Sequence, residues 1–236
     1  MKTLKDTNAK EFIIELEKHR NEEDVEKMKR FIKNSDSSTL CMGLHMRTVF
    51  QIAKRFMETP LTEVEKLLDS SYYEVRMGAV SIMDYQAKKK QITESQRKSL
   101  FDLYLRRHDR INNWDLVDRS APSVIGIYLI DKPKNILYDL ARSNNMWERR
   151  TAIVSTHAFL KKGEIDHTFR IAEILLDDPE ELIQKAIGSW IREAGKQNEQ
   201  ALKRFLNKHV STMSRITLRY AIEKFDKETR RFYLSK

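Results

Sequence analysis

The stretch NNWDLVD, residues 112–118, puts an indole and two carboxylates together in a chain whose formal net charge is +9 at pH 7. On a helix, residues three and four positions apart share a face, so Trp114, Asp115 and Asp118 would lie side by side. Two carboxylates can serve as the acid and base of a glycoside hydrolase, but such pairs flank a sugar cleft. Adjacent turns of one helix would not span that cleft, so the spacing argues against this chemistry.

The two aspartates have different local explanations. Asp115 would fall in the first turn of a helix that begins after Asn112 or Asn113, where a negative charge stabilises the helix dipole. Asp118 lies one turn further in, so it either pairs with an arginine (Arg119 or Arg150) or takes part in chemistry. Pro122 follows within the same helix and is expected to kink it and reorient the Asp118 carboxylate.

The elements that must position these residues are predicted to be helices. Gly and Pro are scarce, at 6 and 4 of 236 residues, and apolar residues recur at spacings of three and four. Thr62 with Glu65 and Thr93 with Gln96 fit capping boxes. We predict one all-α domain over residues 1–236, with helices near 8–20, 22–34, 43–58, 61–69, 73–88, 93–108, 113–130, 133–142, 146–161, 167–177, 180–195, 197–208, 213–224 and 227–234.

From about residue 61 these helices alternate as pairs, and an alanine followed by an aliphatic residue marks the second member. The alanines are Ala79, Ala152, Ala186 and Ala221, with separations of 73, 34 and 35 residues. A two-helix unit of about 36 residues indicates an α-solenoid of HEAT-like repeats, in which small alanines let stacked helices approach closely. We expect one basic concave side, lined by the helices that begin near Tyr73, Asn113, Met146, Glu180 and Met213.

Basic residues precede these alanines and would form a positive groove. A sequence pI near 9.5 makes a polyanion the default partner, with nucleic acid ahead of a membrane surface. A solvated face with intrahelical salt bridges explains the same pattern, and Arg192 could pair with Glu193 or a neighbouring helix. The residues expected to line the groove are Arg76, Arg149, Arg150, Lys185, Arg192 and Arg219.

Several classes of protein are disfavoured by the sequence. No stretch approaches 18 apolar residues and the amino terminus has no secretory pattern, so we expect a cytoplasmic, nucleoid-associated protein. Cys41 is the single cysteine, which excludes an internal disulfide. The six histidines are scattered without ligand spacing, so we expect no metal site.

Four segments resemble, in their order and spacing, the bacterial HEAT-like-repeat DNA alkylation repair proteins of the AlkD family. They are NNWDLVDRSAPSVIG, MWERRTAIVST, LIQKAIGSWIREAGK and TLRYAIEKF. The resemblance extends upstream to MKRFIKN and GLHMRTVFQIAKRF, so it covers nearly the whole chain. It implies a C-shaped solenoid that cradles duplex DNA, here expected to act as a monomer. It also implies hydrolysis of the N-glycosidic bond of cationic N3- and N7-alkylated purines, without a metal or redox cofactor.

The resemblance assigns roles to individual residues. Asp118 corresponds to the catalytic aspartate, Trp114 to the tryptophan that faces the cationic nucleotide, and Arg150 to an arginine that holds a phosphate. Two substrate-binding positions depart from the family: Phe31 stands where a tyrosine is common, and Ser189 where a tryptophan is common. Trp190 follows Ser189, but a shift of one residue rotates a side chain by about 100° on a helix. Arg47 also stands where related sequences often have proline.

Three functions remain open on the sequence. The first is a DNA glycosylase for cationic alkylpurines, and the second is a paralogue that binds DNA without excising bases. The third is a HEAT-type scaffold whose basic stripe meets an acidic protein. Retention of Trp114, Asp118 and Arg150 favours the first over the third, because a scaffold has no need of a carboxylate at that position.

Overall fold

The computed structural model describes residues 7–30, 32 and 38–236, and all of their regular structure is helical. Across these residues no β-strand is present, and a single isolated bridge joins Leu40 to Tyr72. The prediction of an all-α helical-repeat fold is therefore confirmed. The helices are α1 (Ala9–Glu17), α2 (Val25–Lys29), α3 (Met46–Arg55), α4 (Leu61–Leu68), α5 (Tyr73–Ala87), α6 (Glu94–Arg106), α7 (Trp114–Ala121), α8 (Ile127–Leu129), α9 (Asn135–Leu140), α10 (Met146–Ser155), α11 (His157–Leu160), α12 (Asp166–Ile174), α13 (Glu181–Gln197), α14 (Glu199–His209), α15 (Arg215–Ala221) and α16 (Lys227–Leu234).

The chain divides into two compact units, residues 1–128 and 129–236. In the first unit, α5 packs against its partner α4, against α3 before it and against α7 after it. The helix α4 also packs against α6. The first members of successive pairs thus contact each other, and so do the second members. This is the packing expected of helical repeats.

The second unit repeats the arrangement with two pairs, α9 with α10 and α12 with α13, and both α14 and α15 pack against α13. The long helix α13 contacts α10 on one side and α15 on the other, so the second members again pack in sequence. Helices begin within two residues of the five starts predicted to line one concave side, Tyr73, Asn113, Met146, Glu180 and Met213. That these starts line one concave side stays a prediction.

The alanine signature marks the buried seam of the repeats. Ala79, Ala152, Ala186 and Ala221 are all at most 4% exposed. The unit that lacks the alanine buries Leu116 and Val117 fully at the corresponding place. Gly188 shows how closely the helices approach, because a Cβ atom there would lie 2.5 Å from the Thr217 carbonyl oxygen of α15.

The two predicted capping boxes have different outcomes. Thr93 and Gln96 form the reciprocal box at the start of α6. The box at Thr62 was wrong, because α4 begins directly after Pro60 and places Thr62 inside the helix. Glu65, its intended partner, instead accepts a hydrogen bond from Arg106 at 2.8 Å.

Pro122 alters the helix that carries the candidate carboxylates. Proline has no amide hydrogen, so the carbonyl of Asp118, four residues earlier, loses its ordinary α-helical donor. The backbone responds with a π-helical turn over Pro122–Gly126 before α8 begins. The Ser123 hydroxyl in this turn donates to Asp84 at 2.6 Å and secures it on α5. The expected distortion after Asp118 is present as a change of helical hydrogen bonding.

Candidate functional site

The first unit carries a buried carboxylate at the start of α7. Asp115 accepts a hydrogen bond from the Tyr73 hydroxyl of α5, and the Asn113 amide donates to it at 2.6 Å. Burial raises the pKa of Asp115, and it also raises the pKa of the Tyr73 hydroxyl. The backbone amides of Asp115 and Leu116 stabilise the charged form of the Asp115 carboxylate, as expected for an acid in the first turn of a helix. Asp115 therefore ties two consecutive repeats together.

Trp114 and Asp118 lie on the same helix, α7. Both side chains are partly exposed, whereas Leu116 and Val117 between them are fully buried. Their spacing of four residues places them on neighbouring turns of one face. Of the two aspartates, Asp118 is therefore the one that we take as the candidate acid, because the Asp115 carboxylate is bound by Tyr73 and Asn113.

Arg119 is not the partner of Asp118. Its Nη2 atom lies 3.2 Å from the carboxylate of Asp84, which is 1% exposed, and its Nε donates to the Ser81 hydroxyl at 3.1 Å. The interpretation of Asp118 as a member of an ion pair with Arg119 is therefore wrong. The guanidinium points towards α5, as the adjacent position on a helix dictates.

Arg76 does not offer a surface charge in the first unit. It is 1% exposed, and its Nη1 atom donates to the carbonyls of Ser70 and Ser71 at 2.9 and 3.2 Å. Its Nη2 also donates to the Thr39 hydroxyl at 3.3 Å. This geometry corrects the expectation of an exposed groove residue, because the guanidinium holds the loop before α5 instead.

Arg149 likewise holds the loop before its own helix in the second unit. Its Nη1 donates to the carbonyls of Ser143 and Asn144 at 3.0 and 3.1 Å, which are six and five residues earlier, as Ser70 and Ser71 are for Arg76. Its remaining donors make a bidentate pair with Asp178, at 2.6 and 3.2 Å. Arg76 and Arg149 thus bind loop carbonyls at equivalent positions of two repeats, and we call these two arginines loop clamps.

The other candidates of the second unit differ in exposure. Arg150 is 7% exposed and donates to the Leu182 carbonyl at 2.6 Å. Arg192 bonds to Glu223 and lies 3.5 Å from Glu193, as the alternative interpretation expected. Lys185 is partly exposed and pairs with Glu181, one turn earlier on α13.

Arg219 is exposed on α15 and makes no ion pair with the part of the chain that the structure describes. Ser189 is partly exposed on α13. The indole of Trp190 is also partly exposed and packs against His157, with ring centroids 5.0 Å apart. Trp190 therefore contacts α11, and its indole does not take the place of an indole at position 189. Phe31 lies outside the described residues.

Comparison with known proteins matches residues 12–225 to the family described as DNA alkylation repair enzyme. The chain belongs to the DNA alkylation repair enzyme family. No curated protein matches it in sequence. Its fold is similar to that of a predicted DNA alkylation repair enzyme from Enterococcus faecalis, with a TM-score of 0.72 and 18% identity. That likeness covers 89% of this chain and 98% of the other.

In this member of the DNA alkylation repair enzyme family, sequence reasoning missed the partners of the site. Three residues that the sequence singled out have partners that it did not indicate. Asp115 is bound by Tyr73, Arg119 by Asp84, and Arg149 by Asp178. The separations are 42, 35 and 29 residues, close to one repeat. The repeat length was therefore the available signal, since residues one repeat apart face each other in adjacent pairs.

Two further findings apply to the described parts of this family member. Within residues 7–30, 32 and 38–236, no group of three or more His, Cys, Asp or Glu side chains is placed to hold a metal ion. Over the same residues, none of the helices combines the length and apolar character needed to cross a membrane.

Proposed function

We propose that the protein is a monofunctional DNA glycosylase that hydrolyses the N-glycosidic bond of cationic N3- and N7-alkylated purines in duplex DNA. Membership of the DNA alkylation repair enzyme family over residues 12–225 supports a role in alkylation repair. The observation that carries the finer proposal is the arrangement on α7. There an accessible carboxylate, Asp118, lies one turn from a partly exposed indole, Trp114, in a chain of net charge +9.

The chemistry follows from the charge of the substrate. An N3- or N7-alkylated purine is already cationic, so it leaves without protonation by a general acid. The reaction then needs a group that stabilises an oxocarbenium-like sugar and orients a water molecule, and the Asp118 carboxylate supplies both functions. The Trp114 ring attracts the cationic nucleotide through a cation–π contact of about 1–2 kcal/mol. No metal or redox cofactor takes part in this scheme.

Binding of the DNA backbone is assigned to the accessible cations. Lys185 and Arg219 are the groove candidates whose side chains are open to solvent, and we propose that they contact phosphates. Arg150 is buried and donates to the Leu182 carbonyl, so its proposed role at the phosphate beside the lesion rests on the family resemblance and not on its exposure. We leave Arg76, Arg149 and Arg192 out of this set, because carbonyls or carboxylates already satisfy them.

The test is release of 7-methylguanine from methylated duplex DNA, measured by chromatography at excess enzyme. Time-dependent release of the free base is expected for the wild-type protein. Binding of duplex DNA without release would favour a paralogue that has lost excision. Absence of DNA binding would favour a scaffold whose basic surface meets an acidic protein.

Ser189→Trp extends this test. The substitution restores an aromatic side chain where the family commonly carries one, and we expect the rate of release to increase. Because Ser189 is partly exposed, the larger side chain has access to solvent. An unchanged or lower rate, with an unchanged melting temperature, would show that this position does not contact the substrate.

A further inference from the structure

An open depression of about 350 Å³ lies where α3 meets α5 in the first unit. Its lining combines two aromatic rings with two cations and one amide, and none of its side chains is acidic. Four of the five residues come from α3 at positions that share one face of the helix. The lining residues are Arg47, Phe50, Gln51, Lys54 and Tyr85.

The two rings of this depression are held by a network beneath them. The guanidinium carbon of Arg119 lies 4.7 Å from the ring centre of Phe50 and 4.8 Å from that of Tyr85. The Tyr85 hydroxyl donates to the Phe50 carbonyl at 3.3 Å. Arg119 is itself fixed by the buried Asp84. The rings are thus immobilised before any ligand arrives, which lowers the entropic cost of binding.

The two cations lie at opposite ends of the α3 face that lines the depression. Arg47 and Lys54 are exposed and seven residues apart on α3, a rise of about 10 Å along the helix. Neither forms an ion pair within the described residues, so their charges are not neutralised there. Aromatic faces flanked by cations are the combination that binds unpaired nucleotides, because bases stack on rings while phosphates meet positive charge.

We propose that this depression binds an unpaired nucleotide of DNA, with its base against Phe50 and Tyr85 and its phosphates beside Arg47 and Lys54. A base inside a duplex cannot reach the rings, since its faces are covered by its neighbours. Neither Trp114 nor Asp118 lines this depression. The proposal rests on the proposed function only in assuming that the bound polymer is DNA. Its role would be to hold a nucleotide that has left the stack.

Fluorescence anisotropy with the full-length protein tests the proposal on three labelled duplexes. The first is fully paired, the second carries one unpaired thymidine, and the third carries a baseless residue at the same place. We expect the unpaired thymidine to bind about tenfold more tightly than either control. Equal affinity for all three duplexes would overturn the proposal.

Substitutions of the two aromatic residues then test whether their rings cause the preference for unpaired thymidine. Phe50→Leu and Tyr85→Leu keep apolar volume but remove a ring, so each should lose the preference for unpaired thymidine while keeping the affinity for the paired duplex. Tyr85→Phe is the matched control, because it keeps the ring and loses only the hydroxyl. A leucine variant that melts at the wild-type temperature and retains the preference would contradict the assignment.

A second measurement does not depend on the leucine variants folding. A duplex with one unpaired 5-iododeoxyuridine is crosslinked by light to the wild-type protein, and the adduct is located by mass spectrometry. An adduct on Phe50 or Tyr85 supports the site, and an adduct confined to other segments overturns it.

The glycosylase assay separates this proposal from the proposed function. Release of 7-methylguanine without a preference for the unpaired thymidine would defeat the nucleotide site alone. A preference that depends on Phe50 and Tyr85, without release, would defeat the glycosylase proposal and leave the nucleotide site standing. Failure to bind any of the three duplexes would defeat both.

Discussion

The Tyr73 hydroxyl at the start of α5 donates a hydrogen bond to the Asp115 carboxylate at the start of α7. The two residues are 42 positions apart and open the second helices of consecutive repeats. Asp115 is therefore a structural contact between repeats. Asp118, one turn later on α7, remains the carboxylate that we propose for the chemistry.

The buried position of Asp115 predicts a pH-dependent stability. Burial raises its folded-state pKa above the unfolded value of about 3.9, so the folded protein holds the proton more tightly. The contribution of Asp115 to the free energy of unfolding should therefore fall as pH rises from about 4 through the folded pKa. Urea denaturation between pH 4 and 7 should therefore show that the free energy of unfolding of the wild type, relative to that of Asp115→Asn, declines as the pH rises.

Tyr73→Phe is the control for that measurement. The hydroxyl lowers the pKa of Asp115 by bonding to its charged form, so removing it should raise that pKa further and extend the decline to higher pH. Parallel stability profiles for the wild type, Asp115→Asn and Tyr73→Phe would contradict the assigned cause.

Asp118→Asn should remove catalysis and leave DNA binding nearly intact. The substitution keeps the size of the side chain but removes the charge that stabilises the cationic sugar, an electrostatic contribution of about 3–4 kcal/mol. The single-turnover rate of 7-methylguanine release should fall by about 10²–10³-fold. Asp139→Asn, an exposed aspartate on α9, is the matched control and should keep the wild-type rate. An active Asp118→Asn protein would exclude the proposed role.

The salt dependence of DNA affinity should separate surface cations from loop clamps. Lys185→Gln and Arg219→Gln should each flatten the slope of log K against log salt by about one unit, because each removes one phosphate contact. Arg150→Gln should do the same if Arg150 holds the phosphate beside the lesion. Arg76→Gln should leave the slope unchanged, since Arg76 is 1% exposed. A flattened slope for Arg76→Gln would restore it to the DNA-binding set.

Arg149→Gln should lower stability more than it lowers DNA affinity. The substitution breaks a bidentate pair with Asp178, which is 3% exposed in its side chain, and leaves that carboxylate without its cation. Removing one member of such a buried pair costs about 3–5 kcal/mol. Chemical denaturation should show a loss of this order, whereas Lys185→Gln should lose less than about 1 kcal/mol because its pair with Glu181 is exposed. Equal stabilities for the two variants would contradict the clamp.

The sequence by itself determined the helices and their repeat. Spacings of three and four, the capping box at Thr93 and the recurring alanines all depend on residues within one or two turns of each other, and the structure reproduces them. Even the break after Asp118 was predictable, because the missing amide of Pro122 is a property of that residue alone. The family resemblance likewise depended on short segments in order.

Only the tertiary structure decided what the charged side chains do. Arg76, Arg149 and Lys185 look alike along the sequence, yet two clamp loop carbonyls and one remains partly exposed. Arg119 stands next to Asp118 but pairs with Asp84, 35 residues away. A flexible side chain takes whichever partner packing brings within about 3 Å, and that partner can lie a whole repeat away in the chain. Local periodicity places a residue on a face, whereas the identity of the opposing face depends on how the repeats stack.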